Sequence, residues 1–410
     1  MEGESRIKMK KLLTYSSLLM LLCRAAVAAA CTSWVIMPER SASGRMLLVK
    51  CRDQHIGKLT ASVEATNGVR WLCIGVSGEA RFGLNQYGVA TTSNFGGGFS
   101  GKRKKPPKHL PGIIEAVSAE AKDAAAGAAR VRSCGRAGWR SRGGLYLVAD
   151  AKRAFTAEIA PGYGEMTEIP GGVYVISNSM HLAGYDGFTL TPGSTLVSHR
   201  RREANTRKEL QKNQVGGKYT VAGVLKTSRL TGQAVPFNRF SLSAVCFELD
   251  PEFPETVNCA YVALGPQQHT VYLPTPMALK QFPEDMRNGK WAARAFALRM
   301  KLGDDHRYLG RIEALEAEFI AEFSAAREEA LTLLRAGRRE EAEKLLNDTF
   351  LRHYSKAKAL LREIALDAGC DPDPPVPTRD YEKRLHRRIV EKAAQRARKK
   401  KRPTDRRKAE

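Results

Sequence analysis

Residues 28–36 read Ala28-Ala29-Ala30-Cys31-Thr32-Ser33-Trp34-Val35-Ile36, and two different patterns meet at Cys31. Four basic residues between positions 6 and 11 precede a mostly apolar run over residues 12–23. That run is shorter than the roughly 20 residues that span a bilayer. Together with the small residues at 28–30, it is typical of a cleavable export signal, so we predict a signal peptide over residues 1–30. From Cys31 onward, β-branched and aromatic residues predict a strand over residues 31–36.

Cleavage directly before Cys31 would give this residue a free α-amine beside its own thiol. A thiol with a pKa of about 8.5 needs a base to become a good nucleophile at neutral pH. An α-amine titrates at roughly 7.7–8.0, so a useful fraction of it is neutral and accepts a proton. One residue then supplies both the nucleophile and the general base, and the chemistry requires no catalytic histidine.

The formal net charge of +24 over 410 residues is unevenly distributed. Residues 378–410 contain 15 Lys or Arg and five Asp or Glu, and they follow a Pro-rich stretch. We therefore predict that residues 371–410 form a linker and a basic, disordered tail. Such a tail either keeps the protein soluble or binds an anionic surface or polymer by counterion release. Because aromatic residues are almost absent from it, specific nucleic-acid binding is not expected.

The chain has eight cysteines, of which six remain besides Cys31 once residues 1–30 are removed. An even number in an exported protein permits disulfides, but the spacing matches no small disulfide framework. Cys246 and Cys259 flank a turn-like segment, where a disulfide across a hairpin is one interpretation and two buried free thiols is the favoured one. The chain has no Cys-x-x-Cys and no His-x-x-x-His pattern, so we expect no metal site and no cofactor.

Between residue 31 and about residue 265, β-branched and aromatic runs are separated by Gly and Pro, which predicts strands. The predicted strands cover residues 45–50, 71–76, 88–93, 145–150, 154–159, 173–177, 242–249 and 259–264. Apolar periodicity predicts helices over residues 112–129 and 194–211. Strands and helices that share one core indicate an α+β layered domain, which we assign to residues 31–290.

Residues 291–370 change to a helical pattern and are predicted as a helical extension packed on that domain. One apolar stripe contains Ile312, Leu315, Phe319 and Phe323, and a second runs over residues 345–364. Gly337 separates the two stripes, so we predict two antiparallel helices. The charged residues between the apolar positions of the first helix are predicted on its exposed side: Glu313, Glu316, Glu318 and Arg327.

Residues 38–44 read as the turn of a hairpin with its midpoint near residue 41. Antiparallel pairing then places residue 31 opposite roughly residue 51, so residues 50–53 are predicted to lie beside Cys31. There the Asp53 carboxylate is suited to orient an α-amine, and Lys50 is suited to tune the charge of a thiolate or to meet a substrate carboxylate. Asn94 and Asn178 each follow a predicted strand, where an amide can donate to a developing oxyanion, although such residues also commonly occupy turns.

Five motifs in this order resemble the cysteine N-terminal-nucleophile hydrolases. This superfamily includes choloylglycine hydrolases, penicillin V acylases, acyl-coenzyme A:6-aminopenicillanic acid acyltransferases and bacterial cysteine dipeptidases. The motifs are Cys31-Thr32-Ser33 with Lys50-Cys51-Arg52-Asp53, the segment 83–90 (Gly-Leu-Asn-Gln-Tyr-Gly-Val-Ala), Thr92-Ser93-Asn94-Phe95, the hairpin 146–158, and Ile176-Ser177-Asn178-Ser179. The resemblance covers about residues 31–365, and the helical stretch after residue 312 is most similar to the dipeptidases.

The resemblance implies an αββα sandwich of four layers with a C-terminal helical extension. It also implies Cys31 as nucleophile, Asp53 beside its amine, and Asn94 and Asn178 near the oxyanion. The late arginine of these enzymes falls best on Arg239, with Arg229 as a competitor. The chain departs from the superfamily at two places.

The first departure is Lys50, which stands where these enzymes usually have arginine and lacks the planar fork of a guanidinium. The second is Cys51, which stands where they usually have asparagine. Cys51 beside Cys31 could form a disulfide that inactivates the site.

Three functional hypotheses follow from these residues. The first is an exported amidase or peptidase that forms a Cys31 acyl-enzyme on a small amide, peptide or N-acyl substrate. The second is an acyltransferase with the same intermediate, in which an amine or thiol replaces water. The third is a lipoprotein anchored through Cys31, although the residue three before it is alanine, where such sites usually have leucine.

Overall fold

The computed structural model describes residues 31–53, 58–76, 79–96, 112–139, 143–178, 180, 193–230 and 241–376. Three regions singled out from the sequence lie outside these residues: the export signal over residues 1–30, the part from residue 377 onward of the linker and basic tail predicted over residues 371–410, and Arg239.

Fifteen strands occur in the described residues. They are β1 (Thr32–Ile36), β2 (Met46–Asp53), β3 (Leu59–Thr66), β4 (Val69–Val76), β5 (Glu79–Asn85), β6 (Ala90–Gly96), β7 (Gly143–Ala149), β8 (Ala154–Ala160), β9 (Tyr163–Glu168), β10 (Val173–Ile176), β11 (Gln214–Val215), β12 (Lys218–Tyr219), β13 (Ser241–Leu249), β14 (Cys259–Leu264) and β15 (Leu273–Pro276).

These strands form two large antiparallel sheets and one small hairpin. The first sheet has six strands in the order β10-β1-β2-β13-β14-β15, and the second has seven in the order β3-β4-β5-β6-β7-β8-β9. Each strand of the second sheet pairs with the next strand along the chain. In the first sheet, by contrast, β1 pairs with β10 and β2 pairs with β13, so distant segments meet at its centre.

Nine helices accompany the strands in the same described residues. They are α1 (Ile113–Glu120), α2 (Ala124–Arg136), α3 (Gly193–Lys212), α4 (Val221–Ser228), α5 (Pro254–Val257), α6 (Glu284–Arg287), α7 (Lys290–Leu302), α8 (Leu309–Arg335) and α9 (Arg339–Asp367). Among the described residues, no helix is both long and apolar enough to cross a membrane.

The sheets and helices form four layers. Alternate residues of the two sheets face each other in one core, with Leu48 and Phe247 from the first sheet and Leu72 and Leu147 from the second. The other face of the second sheet packs on α1 and α2. The other face of the first sheet, represented by Trp34, packs on α3, α4, α8 and α9. The predicted α+β fold with an αββα sandwich is therefore confirmed.

Strong local signals in the sequence match the structure closely. The predicted helix over residues 194–211 corresponds to α3, and the predicted strand over residues 259–264 corresponds to β14. Gly337 has a φ of 77° and ends α8, and Gly88 has a φ of 82° in the turn between β5 and β6. Both backbone conformations are ones that glycine adopts without steric cost.

Other elements differ from the prediction. The single helix predicted over residues 112–129 is two helices, because Asp123 caps a new helix by accepting a hydrogen bond of 2.8 Å from the Ala126 N–H. The sequence also does not predict β3, β9 or β15. The strands β3 and β9 lie at the edges of the second sheet and expose several residues, so they lack a strong apolar pattern.

Two charged residues of α8 lie inside the protein, so the prediction that they are exposed is wrong. Glu316 is buried against Arg229, which donates to it at 2.6 Å. Arg327 is buried against Glu248, with Nη1 and Oε2 separated by 2.7 Å. The helical pattern identifies the apolar stripe, but it does not show that the first sheet and α4 bring opposite charges to the edge of that stripe.

Replacing Arg327 with methionine is expected to destabilise the fold by about 3–5 kcal/mol, because it leaves the Glu248 carboxylate buried without its cation. Although burial raises the pKa of the Glu248 carboxyl, Arg327 lowers it below its ordinary value, so this group is ionised at neutral pH. Urea unfolding measures the effect. Arg335→Met on the same helix is the control, because Arg335 and Glu252 form an exposed pair. Equal stability of the two variants would contradict the expectation.

Candidate active site

The hairpin of β1 and β2 brings three predicted site residues together, namely Cys31, Lys50 and Asp53. Its register pairs Thr32 with Cys51 and Ser33 with Lys50, one position from the predicted register. Side chains alternate along both strands, so Ser33 and Lys50 face the second sheet, whereas Thr32 and Cys51 face the helices. Cys31 directly precedes β1 and is only 2% exposed.

The opposite directions of these side chains exclude a Cys31–Cys51 disulfide. Both thiols are free in the structure, and the Cys51 Sγ lies 3.8 Å from the Ser228 carbonyl on the helix side of the sheet. Cys246 and Cys259 are also free and buried, which agrees with the favoured interpretation of that pair. The thiols of Cys31 and Cys51 therefore lie on opposite sides of the first sheet.

Asn94 on β6 joins the second sheet to this hairpin. Its Oδ1 accepts a hydrogen bond of 2.7 Å from the Ser33 Oγ and a second hydrogen bond from the Lys50 Nζ. Its Nδ2 donates to the Ser177 carbonyl at 2.7 Å, just beyond the end of β10. The side chain thus fixes Lys50 relative to the end of β10, while its predicted role toward an oxyanion stays a prediction.

Asn178 holds the nitrogen of Cys31. The Cys31 nitrogen, a peptide N–H in the full chain, donates to the Asn178 Oδ1 at 2.7 Å. The Asn178 Nδ2 donates in turn to the Phe95 carbonyl at 2.6 Å, next to Asn94. An α-amine formed by cleavage before Cys31 would occupy the same place and would find the same acceptor.

Asp53 contacts Cys31 through its backbone. The Cys31 Sγ lies 3.8 Å from the Asp53 carbonyl oxygen, and the Asp53 Oδ1 accepts a hydrogen bond from the Ser241 Oγ. The carboxylate is almost completely buried, at 1% exposure. Its predicted role in orienting the amine stays a prediction.

Two cations, Lys50 and Arg52, and the Asp53 carboxylate act on the pKa of the Cys31 thiol. Burial raises the pKa of this thiol, but Lys50 and Arg52 lower it, and the net shift is downward. Burial lowers the pKa of the Lys50 ammonium to about 8. In contrast, burial raises the pKa of the Cys51 thiol well above its ordinary value. Of these two neighbouring cysteines, Cys31 is therefore the one whose surroundings favour a thiolate.

Two residues of α3 support the site and were not predicted from the sequence. The Glu203 Oε1 accepts hydrogen bonds of 2.9 Å from both the backbone N–H and the Oγ of Ser177. The Arg202 Nη1 donates to the Cys31 carbonyl at 3.5 Å. The sequence predicts the helix but contains no signal for which of its many charged residues faces the sheet.

Of the two arginines considered for the late position, only Arg229 belongs to the described residues. It is buried at the end of α4, donates to the Gln267 carbonyl at 2.8 Å and pairs with Glu316. The nearby Glu316 carboxylate raises the pKa of Arg229 despite its burial. Arg229 therefore has a structural role between α4 and α8. Arg239 lies outside the described residues, so its assignment stays a prediction.

Within the described ranges, no group of three or more His, Cys, Asp or Glu side chains is placed to hold a metal ion. The chemistry that this site offers comes from a thiol, an adjacent lysine, a chain nitrogen held by an amide, and two asparagines. These groups are suited to nucleophilic attack on a carbonyl and to proton transfer.

No family model matches the sequence, and no curated protein matches it either. Solved structures do match. An N-acylethanolamine-hydrolyzing acid amidase ortholog of Caenorhabditis elegans is 11% identical with a TM-score of 0.39, and the match covers 53% of this chain and 92% of that protein. A mutant of a conjugated bile acid hydrolase from Clostridium perfringens is 10% identical with a TM-score of 0.41, covering 63% of this chain and 98% of that protein.

A penicillin V acylase from Agrobacterium tumefaciens also matches, with 10% identity and a TM-score of 0.30, covering 57% of this chain and 83% of that enzyme. These proteins are members of the superfamily whose motifs the sequence resembles. With identities of 10–11%, the reaction of this chain has to be argued from its own residues.

Proposed function

We propose that the chain is an exported amidohydrolase that cleaves a linear amide or peptide bond through a Cys31 acyl-enzyme. One observation carries this proposal. The buried residue Cys31 has its thiol beside Lys50 and its nitrogen 2.7 Å from the Asn178 Oδ1. After cleavage before Cys31, the nitrogen becomes an amine next to the thiol of the same residue. Nucleophile and general base are then both fixed before a substrate arrives.

The proposed reaction has two stages. The Cys31 Sγ attacks the carbonyl carbon, its proton passes to the α-amine, and the amine returns a proton to the leaving nitrogen. Water activated by the same amine then attacks the thioester and releases the acyl group. Asn94 and Asn178 are proposed to lie near the oxyanion, where neutral amide donors stabilise developing negative charge.

The contacts of Cys31 favour an enzyme over a lipoprotein. Its nitrogen lies 2.7 Å from the Asn178 Oδ1 and its Sγ lies 3.8 Å from the Asp53 carbonyl, so both groups that a lipid would modify already have partners inside the protein. The choice between hydrolysis and acyl transfer depends on which acceptor reaches the thioester. We propose hydrolysis, with transfer to an added amine or thiol as the alternative outcome of the test.

The test is the N-terminal sequence and intact mass of the exported protein, followed by incubation of that protein with dipeptides, N-acyl amino acids, conjugated bile acids and penicillin V. We expect Cys31 at the terminus and hydrolysis of at least one of these classes of amide. A transient thioester on Cys31 should be visible by mass spectrometry. A terminus blocked by lipid, or an intact Ala30–Cys31 bond in the exported protein, would contradict the proposal.

A further inference from the structure

Lys50 is a fully buried lysine whose hydrogen-bonding partner is a neutral amide. It is 0% exposed, and its Nζ donates to the Asn94 Oδ1. It pairs with Ser33, two residues after Cys31, so the alternation of side chains along a strand places Lys50 and Cys31 on the same face of the first sheet. Among the described residues, no ion pair joins Lys50 to a carboxylate, and Asp53 contributes the smallest of the charge effects on the pKa of Lys50. This differs from the buried arginines Arg229 and Arg327, each of which pairs with a glutamate.

A buried ammonium without a carboxylate is unfavourable, because burial removes its hydration and no anion replaces it. Two arrangements relieve this cost. Lysine can release its proton to become a neutral amine, or the nearest acid can lose its proton and become the missing anion. The Cys31 thiol lies on the same face of the first sheet as Lys50, and a thiolate there would gain from the same cation.

The surroundings lower the pKa values of both groups. Burial lowers the pKa of Lys50 to about 8, although the Cys31 side chain opposes this shift. Lys50 and Arg52 lower the pKa of Cys31 despite its burial. The charged and titratable groups that act on Lys50 are Cys31, which directly precedes β1, and Arg52 and Asp53 of β2, while the neutral Asn94 of β6 accepts its hydrogen bond.

We propose that Lys50 is a second proton acceptor for the Cys31 thiol. The S–H bond of Cys31 breaks, the proton passes to the Lys50 Nζ, and a thiolate–ammonium pair results with no change in total charge. This inference rests on Cys31 being the nucleophile of the proposed function, but it does not require the α-amine. An arginine at position 50 could supply the charge but could not accept the proton.

The full chain provides the first test, because there the Cys31 nitrogen is a peptide N–H and accepts no proton. Thiolate absorbance in the ultraviolet is measured against pH, and the spectrum of the Cys31→Ser variant is subtracted. The other described thiols give little background near neutral pH, because burial raises the pKa of Cys73 to about 12, that of Cys134 to about 11, and those of Cys51, Cys246, Cys259 and Cys370 above their ordinary value.

We expect the thiolate fraction of Cys31 at pH 7 in the full chain to lie well above the few per cent of an ordinary thiol. In Lys50→Met the thiolate should fall to the few per cent of an ordinary thiol, a decrease of roughly tenfold or more. Lys226→Met, at an exposed lysine of α4, is the matched control and should change nothing. An unchanged thiolate titration in a folded Lys50→Met protein would overturn the inference.

Lys50→Arg separates proton acceptance from charge and also decides the question if Lys50→Met does not fold. The rate of Cys31 alkylation by iodoacetamide, located by mass spectrometry, is followed against pH. In the unmodified chain we expect two steps, one when the thiolate forms and one when the Lys50 ammonium loses its proton. In Lys50→Arg only the first step should remain. Two steps in Lys50→Arg, or one step in the unmodified chain, would show that Lys50 does not exchange the proton.

The same experiments separate this inference from the proposed function. If the full chain shows the Lys50-dependent thiolate but the exported protein hydrolyses none of the amides, the proposed function fails and the inference stands. If amides are hydrolysed and the thiolate titration is independent of Lys50, the inference fails and the proposed function stands.

Discussion

Replacing Cys31 with alanine is expected to abolish amide hydrolysis, with kcat/KM reduced at least about 1,000-fold, because the acyl-enzyme then has no atom on which to form. Cys31→Ser should be nearly as inactive, since the cations that favour a thiolate do not ionise a hydroxyl. The measurement is steady-state hydrolysis of the best amide found with the exported protein. Both variants should keep the fold, because Cys31 precedes β1 and bears no ladder position of its own.

Cys51→Ala is the matched control for that experiment. Cys51 is the next cysteine along the chain, is equally buried and pairs with Thr32, but it faces the helices and not the second sheet. Its removal should change kcat/KM by less than about threefold. If Cys31→Ala retains hydrolysis, or if Cys51→Ala loses it as fully as Cys31→Ala, then Cys31 is not the nucleophile.

Blocking the amine is expected to have the second largest effect. A chain that begins with one extra glycine before Cys31 should lose about 100-fold or more in kcat relative to a chain that begins at Cys31, in line with the usual contribution of a general base. The Cys31 nitrogen lies 2.7 Å from the Asn178 Oδ1. With the extra peptide bond it is an amide N–H, which has no basic lone pair, and no longer an amine.

The pH dependence of the chain that begins at Cys31 should follow the same group. A free α-amine with a pKa of roughly 7.7–8.0 is an acceptor only when neutral, so kcat should rise as the pH increases through that range. The control carries the extra glycine after Glu410 and should behave as the unmodified chain. Equal kcat values for the blocked and unblocked chains would exclude the amine as general base. A blocked chain that still forms the thiolate would assign thiol activation to Lys50 and proton transfer in turnover to the amine.

Several parts of the fold follow from short-range patterns. The helix α3 and the strand β14 were predicted within one residue of their observed bounds, because apolar periodicity and β-branched runs act over a few residues. The edge strands β3 and β9 were missed, since their partners in the sheet, rather than their own apolar pattern, hold them in place. Glu316 and Arg327 were placed on the wrong side of α8 because their partners come from elsewhere in the chain.

The sequence alone predicts the first strand and the turn over residues 38–44, and thereby brings residues 50–53 beside Cys31, because a hairpin turn is a local signal. The predicted register is one position from the observed one, in which Lys50 lies opposite Ser33. A local turn signal therefore locates the hairpin but not its register, and a shift of one residue changes which side chains share a face.

Which groups complete the site depends on tertiary packing. Asn94, Asn178 and Glu203 come from other parts of the chain. Asn94 contacts Lys50, Asn178 contacts Cys31 and Glu203 contacts Ser177, because the two sheets stack and α3 packs beside β10. Contacts between residues so far apart in sequence depend on how whole layers pack. The sequence pattern within one segment therefore does not predict them. For the same reason the sequence alone left Cys51 as a possible disulfide partner, whereas the sheet places its thiol on the opposite side from Cys31.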